Sequence, residues 1–304
     1  MKIILTGSIS NVGKPLTAEL VKQGHAVTVI TSKTERLMDI KALGANGVVG
    51  SMFDTGFLTD TFTGADIVYL METLDAVGGD MMDPHIDFIG GISEIGNNYR
   101  SAIERSGVKQ VVHLSSIGAH TDKGNGFLIF HHNVENILRQ LPESVAIKFM
   151  RPVGFYTNLF AFSHTIKTKG EIISNNNGGD RKEPWVSPLD IAAVIAEEMN
   201  TPFAGRTVRY IASDEVSPNE VAAALGAAIG QPGLRWKVIS DEQQLDIYLK
   251  IGFNPQIAKG FVEMQASQGS GHLYEDYYQH KPVLGKVKLT DFARDFAAAF
   301  QHEE

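Results

Sequence analysis

The chain opens Lys2-Ile3-Ile4-Leu5-Thr6-Gly7-Ser8-Ile9-Ser10-Asn11-Val12-Gly13-Lys14-Pro15, and this stretch decides the fold. Ile3–Leu5 is a short apolar run of the kind that forms a strand buried on both faces. A glycine-bounded turn follows at once. Next comes a predicted helix over Pro15–Gln23, with Leu16, Leu20 and Val21 on one face, Pro15 in its first turn and Gly24 at its end. Strand, glycine turn and helix in this order form a crevice where a pyrophosphate lies against helix amides and the positive end of the helix dipole. Gly7 permits the tight turn, and Gly13 lets helix and strand come close. Ser10 stands where a middle glycine is common; it is small, and its hydroxyl can donate to a phosphate. Gly7, Ser8, Ile9, Ser10, Asn11, Val12 and Gly13 are the candidate pyrophosphate residues. A plain strand-to-helix turn is the alternative reading of the same residues.

Outward from that turn, short β-branched runs recur at Ala26–Ile30, Val48–Val49, Ile67–Leu70, Val111–Leu114 and Ile147–Met150, none alternating in and out. Helical spacing of Ile92, Ile95, Tyr99 and Ile103 predicts a helix over Ile92–Ser106, stopped by Gly107. This alternation argues for right-handed crossovers, hence an α/β fold with a doubly wound, Rossmann-type parallel sheet. Later helices announce themselves by capping boxes at Ser187-Pro188-Leu189-Asp190, Ser217-Pro218-Asn219-Glu220 and Ser240-Asp241-Glu242-Gln243, where each Ser can cap the N3 amide. Thr207–Ala212 is one more strand candidate returning to the main sheet, and Asn175–Asp180 is a turn cluster. The expected organisation is a dinucleotide-binding domain over 1–155 plus about 186–214. A smaller, mainly helical substrate-binding domain takes about 156–185 plus 215–304.

Composition narrows the function. The 304 residues carry 27 basic against 35 acidic side chains, a net charge of −8, which argues against a general nucleic-acid binder. With no Cys, disulfides, thiol redox chemistry and thiolate metal sites are excluded. Neither a signal-peptide pattern nor an uninterrupted apolar run long enough for a membrane span is present, so the expected location is cytoplasmic. The ten His make no metal box: adjacent His131 and His132 point apart on a helix, and no His-x-x-x-His occurs. No metal is expected. Tyr274, Tyr277 and Tyr278, near His280, read as surface packing.

The second strand ends at Thr31-Ser32-Lys33 without the carboxylate that would hold a ribose 2′-hydroxyl. Ser32, Lys33 and Arg36 suit a 2′-phosphate instead, which favours NADP(H) over NAD(H); a solvated loop with ordinary charges is the alternative. Asp54 can bond the adenine amine or cap a helix. Met71 and Glu72, after the fourth strand, should border the cofactor cleft, and Glu72 can act as a general acid only if burial raises its pKa.

Thr6-Gly7 with Asn11-Val12-Gly13, Gly107-Val108-Lys109 with Leu114-Ser115-Ser116, Arg151-Pro152-Val153-Gly154-Phe155-Tyr156-Thr157-Asn158, and Pro184-Trp185-Val186-Ser187-Pro188-Leu189-Asp190-Ile191-Ala192 resemble the NmrA-like atypical short-chain dehydrogenases. The resemblance implies NADPH-dependent quinone reductases, isoflavone-type reductases, or redox-sensing regulators that bind the dinucleotide without turning it over. It also implies a Tyr-x-x-x-Lys pair for proton donation and ribose binding. Counting back from Glu135, which resembles the family's helix glutamate, puts His131 at the Lys position and Phe127 at the Tyr position. Phe donates no proton, so the catalytic candidates are His131, as a weak acid or ribose ligand, and Ser115, as a group orienting a carbonyl. By the same resemblance Pro152 and Phe155 lie near the nicotinamide, and Phe155, Tyr156 and Asn158 face a flat substrate; the alternative is that these aromatics join an interdomain core. The expectation is an NADPH-dependent reductase of a small flat carbonyl compound such as a quinone. The alternative is a non-catalytic NADP(H) sensor, which would add a protein partner.

Overall fold

β-Branched residues crowd the early strands, and in the computed structural model, which describes residues 1–302, they pair into one parallel sheet. The strands are Lys2–Leu5 (β1), Ala26–Thr31 (β2), Asn46–Val49 (β3), Ile67–Leu70 (β4), Gln110–Leu114 (β5), Ala146–Pro152 (β6), Gly154–Phe155 (β7), Glu171–Ser174 (β8), Glu183–Val186 (β9), Arg206–Ile211 (β10), Asp214–Val216 (β11) and Arg235–Val238 (β12). The main sheet runs β10-β6-β5-β4-β1-β2-β3, so the strand expected over 207–212 does return to it. Ile3 pairs with Val27 on one side and Ile67 on the other, which puts the reversal of strand order between β1 and β4. In such sheets ligands bind in the crevice beyond the carboxyl ends of the strands at that reversal.

All four residues of β4 are buried, which explains the missing in/out alternation. One face packs on Leu16 and Leu20 of the helix Gly13–Lys22 and on Ile191 and Ile195 of the helix Pro188–Met199. The other packs on Ile95, Tyr99 and Ile103 of the helix Phe88–Ser106 and on Val134 and Leu138 of the helix Ile129–Leu138. Each such buried aliphatic side chain stabilises the fold by about 1.5–3 kcal/mol. The Phe88–Ser106 helix begins four residues before the predicted start because the Asp87 carboxylate accepts from the Gly90 amide at 3.0 Å. It ends, as expected, at Gly107, whose φ of 78° is the left-handed cap geometry.

A third core gathers Tyr156, Leu159, Ile172, Trp185, Val221, Leu225, Phe292 and Phe296. It lies among the small sheets β11-β9-β7 and β12-β8 and the helices Pro218–Ala228 and Leu289–His302. The expected surface cluster at Tyr274 and Tyr277 is instead internal. Both are buried in the main core, with Tyr277 edge-on to Tyr210 at 5.7 Å, and only Tyr278 stays exposed.

Two of the three expected capping boxes form, at Ser217 with Glu220 and at Ser240 with Gln243. The third does not. Ser187 accepts from the Leu189 amide, and Asp190 turns away to accept from the Ser213 hydroxyl at 2.6 Å and from the Lys286 and Val287 amides at 3.1 and 2.9 Å. This carboxylate ties the segment leading into the last helix to the main sheet. We expect Asp190→Ala to lower the unfolding free energy by about 2–4 kcal/mol, since it strands buried donors, and Asp190→Asn by less. Urea denaturation of the two variants checks this.

Candidate functional site

The turn after β1 is held by tight steric and polar constraints. The Met71 amide donates to Thr6 Oγ1 at 2.8 Å, and the Thr6 hydroxyl donates to the Met71 carbonyl at 3.2 Å, clasping the ends of β1 and β4 together. Gly7 has φ +80°, and a Cβ there would sit 2.3 Å from Met71 Cγ. A Cβ on Gly13 would sit 2.1 Å from the Ser8 carbonyl oxygen. Both glycines are thus sterically required, for the two reasons the sequence indicated. Between them Ser8 adopts φ 60°, the one positive φ at a non-glycine among the described residues. That conformation costs on the order of 1–3 kcal/mol. It is held by bonds from the Ser8 amide to the Ile30 carbonyl and from the Ser8 hydroxyl to Thr31, both 3.1 Å.

The helix Gly13–Lys22 has no side-chain cap from its N-cap residue Val12. Ser10 Oγ takes the Gly13 amide at 3.3 Å, and the Ser10 carbonyl takes the Lys14 amide at 3.0 Å. No hydrogen bond from the Ile9, Asn11 or Val12 amide occurs among the described residues. This end of the helix therefore presents donors and a positive dipole with no internal anion.

Beside it lies a cleft of about 500 Å³ lined by Ile9, Lys14, Arg36, Asp39, Ala42 and Leu43. Lys33 and Ser32 are exposed at the end of β2, the Lys33 amide donating to Thr31 Oγ1 at 3.2 Å. Lys14, Lys33 and Arg36 make no ion pair among the described residues. Two features escaped the sequence reading. Lys14 lines this cleft, and a cation in the first helical turn, which the dipole disfavours, was the available signal. Asp39 also reaches it, one turn after the basic pair, although no carboxylate stands at the strand end itself. Asp54 caps the helix Thr55–Phe62, accepting from the Phe57 amide at 2.9 Å, so of its two readings the structure shows the cap.

At the carboxyl end of β5 the expected catalytic groups are committed elsewhere. The buried Ser115 hydroxyl donates to Glu135 Oε1 at 2.6 Å, while Arg151 grips the same carboxylate with Nε and Nη2, both at 2.8 Å. Burial pushes the Glu135 carboxyl up, but the bonds and charge of Arg151 and the bond from Ser115 outweigh it and hold the group below its ordinary pKa. Ser115 is therefore fixed as a donor to a permanent carboxylate. His131 is packed against Phe130, their ring centroids 4.0 Å apart. Burial, with the nearby His113, pushes its pKa down to about 3, so it is a neutral imidazole near pH 7 and not the weak acid anticipated. Phe127, at the Tyr position, is buried against Phe130 and Phe261.

Glu72 is buried at the end of β4, and both its carboxylate oxygens lie against His113 Nε2, at 3.1 and 3.2 Å. His113 was missed; its signal was a lone polar residue inside the apolar run Val111–Leu114. Pro152 ends β6, its carbonyl taking the Ile117 amide at 2.9 Å, and Phe155 is half-buried beside it in β7. Tyr156 does not face a cleft: it is fully buried, stacked between Trp185 at 6.2 Å and Phe292 at 5.3 Å. The core alternative won there. Asn158 is exposed.

A family model, the NmrA-like family, matches residues 1–290. The chain belongs to the NmrA-like family. Among curated proteins it is similar to festuclavine dehydrogenase of Aspergillus fumigatus, 22% identical over 297 residues that cover 96% of this chain and 97% of that one. Among solved structures it resembles the NADPH-dependent quinone oxidoreductase of Escherichia coli complexed with NADPH (TM-score 0.79, 18% identity, 97% of this chain and 99% of that one). It also resembles NmrA, a negative transcriptional regulator, in complex with NADP (TM-score 0.68, 16% identity, 98% of this chain and 91% of that one). This NmrA-like chain thus has the Rossmann-type fold of NAD(P)-binding proteins, and no helix among its described residues is long and apolar enough to cross a membrane.

The His131 environment sets an acid sensitivity. Unfolded, its imidazole takes a proton near its ordinary pKa of 6.5; folded, it does so only near 3. Its contribution to stability is complete above pH 6.5 and is lost as pH falls toward 3. Between pH 6 and 4 the wild type should lose stability faster than His131→Asn, by up to about 1.4 kcal/mol per pH unit. Urea unfolding across that range measures it.

Proposed function

We propose that this NmrA-like chain binds NADP(H) over the glycine turn and reduces a small flat carbonyl compound such as a quinone. The observation that carries the reading is the start of the helix Gly13–Lys22, where the Ile9, Asn11 and Val12 amides make no hydrogen bond among the described residues, with Lys14 and Arg36 lining the cleft beside it and Lys33 exposed at the end of β2, all three without an ion pair there. The amides after Gly7 would take the pyrophosphate, and the cations with Ser32 would take a 2′-phosphate. Similar structures solved with NADPH or NADP support the binding of NADP(H). When bound, NADPH supplies the hydride. Gly7 and Gly13 keep the backbone close enough to hold the phosphates, and Met71 and Pro152 flank the nicotinamide end. Phe155 offers an aromatic face to the acceptor, with Asn158 at the rim. The division into a dinucleotide-binding part, 1–155 with about 186–214, and a smaller part enclosing the third core belongs to this reading, as do a small-molecule substrate and a cytoplasmic location.

Phe127 and the neutral His131 favour a second reading, an NADP(H) sensor without turnover that acts through a protein partner. Calorimetric titration with NADPH, NADP and NADH, followed by NADPH oxidation with a panel of quinones, separates the two. Turnover supports the reductase, and tight binding with no acceptor consumed supports the sensor. Absence of dinucleotide binding overturns both. Lys33→Glu should weaken NADPH about 10- to 100-fold, the worth of a charged hydrogen bond, while changing NADH little. Equal weakening of both cofactors would remove Lys33 from the 2′-phosphate.

A further inference from the structure

A second cavity, of about 420 Å³, lies over the edge of the main sheet, and the reading above places no ligand in it. Val208 and Tyr210 of the edge strand β10, with Arg151 of β6, form one side. Ala119 and His120, the turn carrying Glu135 and Arg139, and Asp276 with His280 form the others. It shares no lining residue with the cleft beside Gly13–Lys22, and its size suits a small molecule. Its acceptors are already taken. Glu135 accepts from Ser115 and Arg151 on one oxygen and from Arg139 and Arg151 on the other, at 2.6 to 3.0 Å. Asp276 Oδ2 accepts from Arg151 and from the Tyr210 hydroxyl, and its Oδ1 lies 3.4 Å from His280. His132 is bonded at both ring nitrogens, to the Ala119 carbonyl at 3.0 Å and to Asn136 at 2.8 Å. The donors are not all taken. Arg139 gives one N–H to Glu135 and lies over the Phe149 ring at 4.4 Å, so four of its five N–H groups meet no acceptor among the described residues. His120 Nδ1 is enclosed without a partner, and His280 bonds only through Nδ1 among the described residues. Burial pushes the His120 pKa below its ordinary value, so near pH 7 the ring is neutral and supplies one N–H.

Two carboxylates and two guanidiniums offset one another in charge, and the surplus that remains is one of donors. A cation entering here finds both carboxylates engaged. A ligand with anionic oxygens meets free N–H groups, a guanidinium fork among them, and such charged bonds are the strong ones. Asp276 opposes an anion, but Arg151 at 3.3 Å and the Tyr210 hydroxyl already share its charge. We propose that this cavity is a second ligand site, which takes a small organic anion through a carboxylate or a phosphate group. The Arg139 fork holds the anionic oxygens, and His120 donates from the facing wall. Ala119 and Val208 leave an apolar surface for a short carbon skeleton. The inference stands apart from the reductase and sensor readings, since none of these residues belongs to the dinucleotide cleft.

Histidine ring NMR of the full chain tests the site, with inorganic phosphate and succinate as separate probes at constant pH and ionic strength. The His120 and His280 resonances should shift saturably, with a Kd of about 1–10 mM for at least one probe. The tighter probe tells whether a phosphate or a carboxylate is the group recognised. His85 and His164, exposed elsewhere on the chain, should stay in place. Arg139→Gln should weaken the tighter probe about 10-fold, the worth of one charged hydrogen bond. Val208→Glu sets a carboxylate at a 41% exposed edge position of the cavity, so it should abolish the shifts while the far-UV circular dichroism stays that of the wild type. Added NADPH should leave the probe Kd unchanged. No saturable shift with either probe overturns the proposal. So do shifts of equal size at His85 and His164, shifts that survive Val208→Glu, or competition with NADPH, which would put the anion at the glycine turn.

Discussion

The approach of Gly13 to the Ser8 carbonyl, which leaves no room for a Cβ, is the constraint from which the site follows. It fixes the distance between the end of β1 and the start of the first helix. That distance in turn forces Ser8 into a left-handed conformation and aims the turn's free amides outward. The Thr6–Met71 clasp carries the same geometry across to β4, so the strand-order reversal and the helix start belong to one rigid unit. Positive potential collects there although the whole chain carries net charge −8. A field of this kind comes from placing a few cations and dipoles together, and total charge says little about it.

A second unit organises the far side of the crevice. Glu135 accepts from Ser115, Arg139 and Arg151, which locks the helix Ile129–Leu138 to β5 and β6. Arg151 extends the chain of bonds to Asp276 and Tyr210, and so to the segment near the end of the chain. The Ser115 hydroxyl, which the sequence marked as a group to orient a carbonyl, is taken up in this network. Nδ1 of His113 and Nδ1 of His131 stay outside it, among the buried polar atoms that meet no hydrogen-bond partner among the described residues.

Much of the fold was legible because its signals are local. Short β-branched runs without alternation, Gly107 as a helix stop, and Ser217 with Glu220 as a capping box each depend on a few neighbouring residues. The readings that failed depended on distant partners. Asp190 looked like a cap, but its partners are Ser213, Lys286 and Val287, up to 97 residues away. Tyr156 looked like a substrate platform until Trp185 and Phe292 enclosed it. Tyr274 and Tyr277 looked like surface residues because nothing near them in the chain shows that they fill the main core.

By itself the sequence determined the sheet, the glycine turn and the absence of a tyrosine at position 127, since steric demand and hydrophobic period are properties of residues and their near neighbours. Only the tertiary structure decided which polar groups remain available for chemistry. Ser115 and Glu135 share one bond, His131 is held neutral, and Glu72 meets His113 of the neighbouring strand. Availability and protonation depend on what surrounds a side chain in space, and those surroundings come from parts of the chain that sequence order keeps far apart.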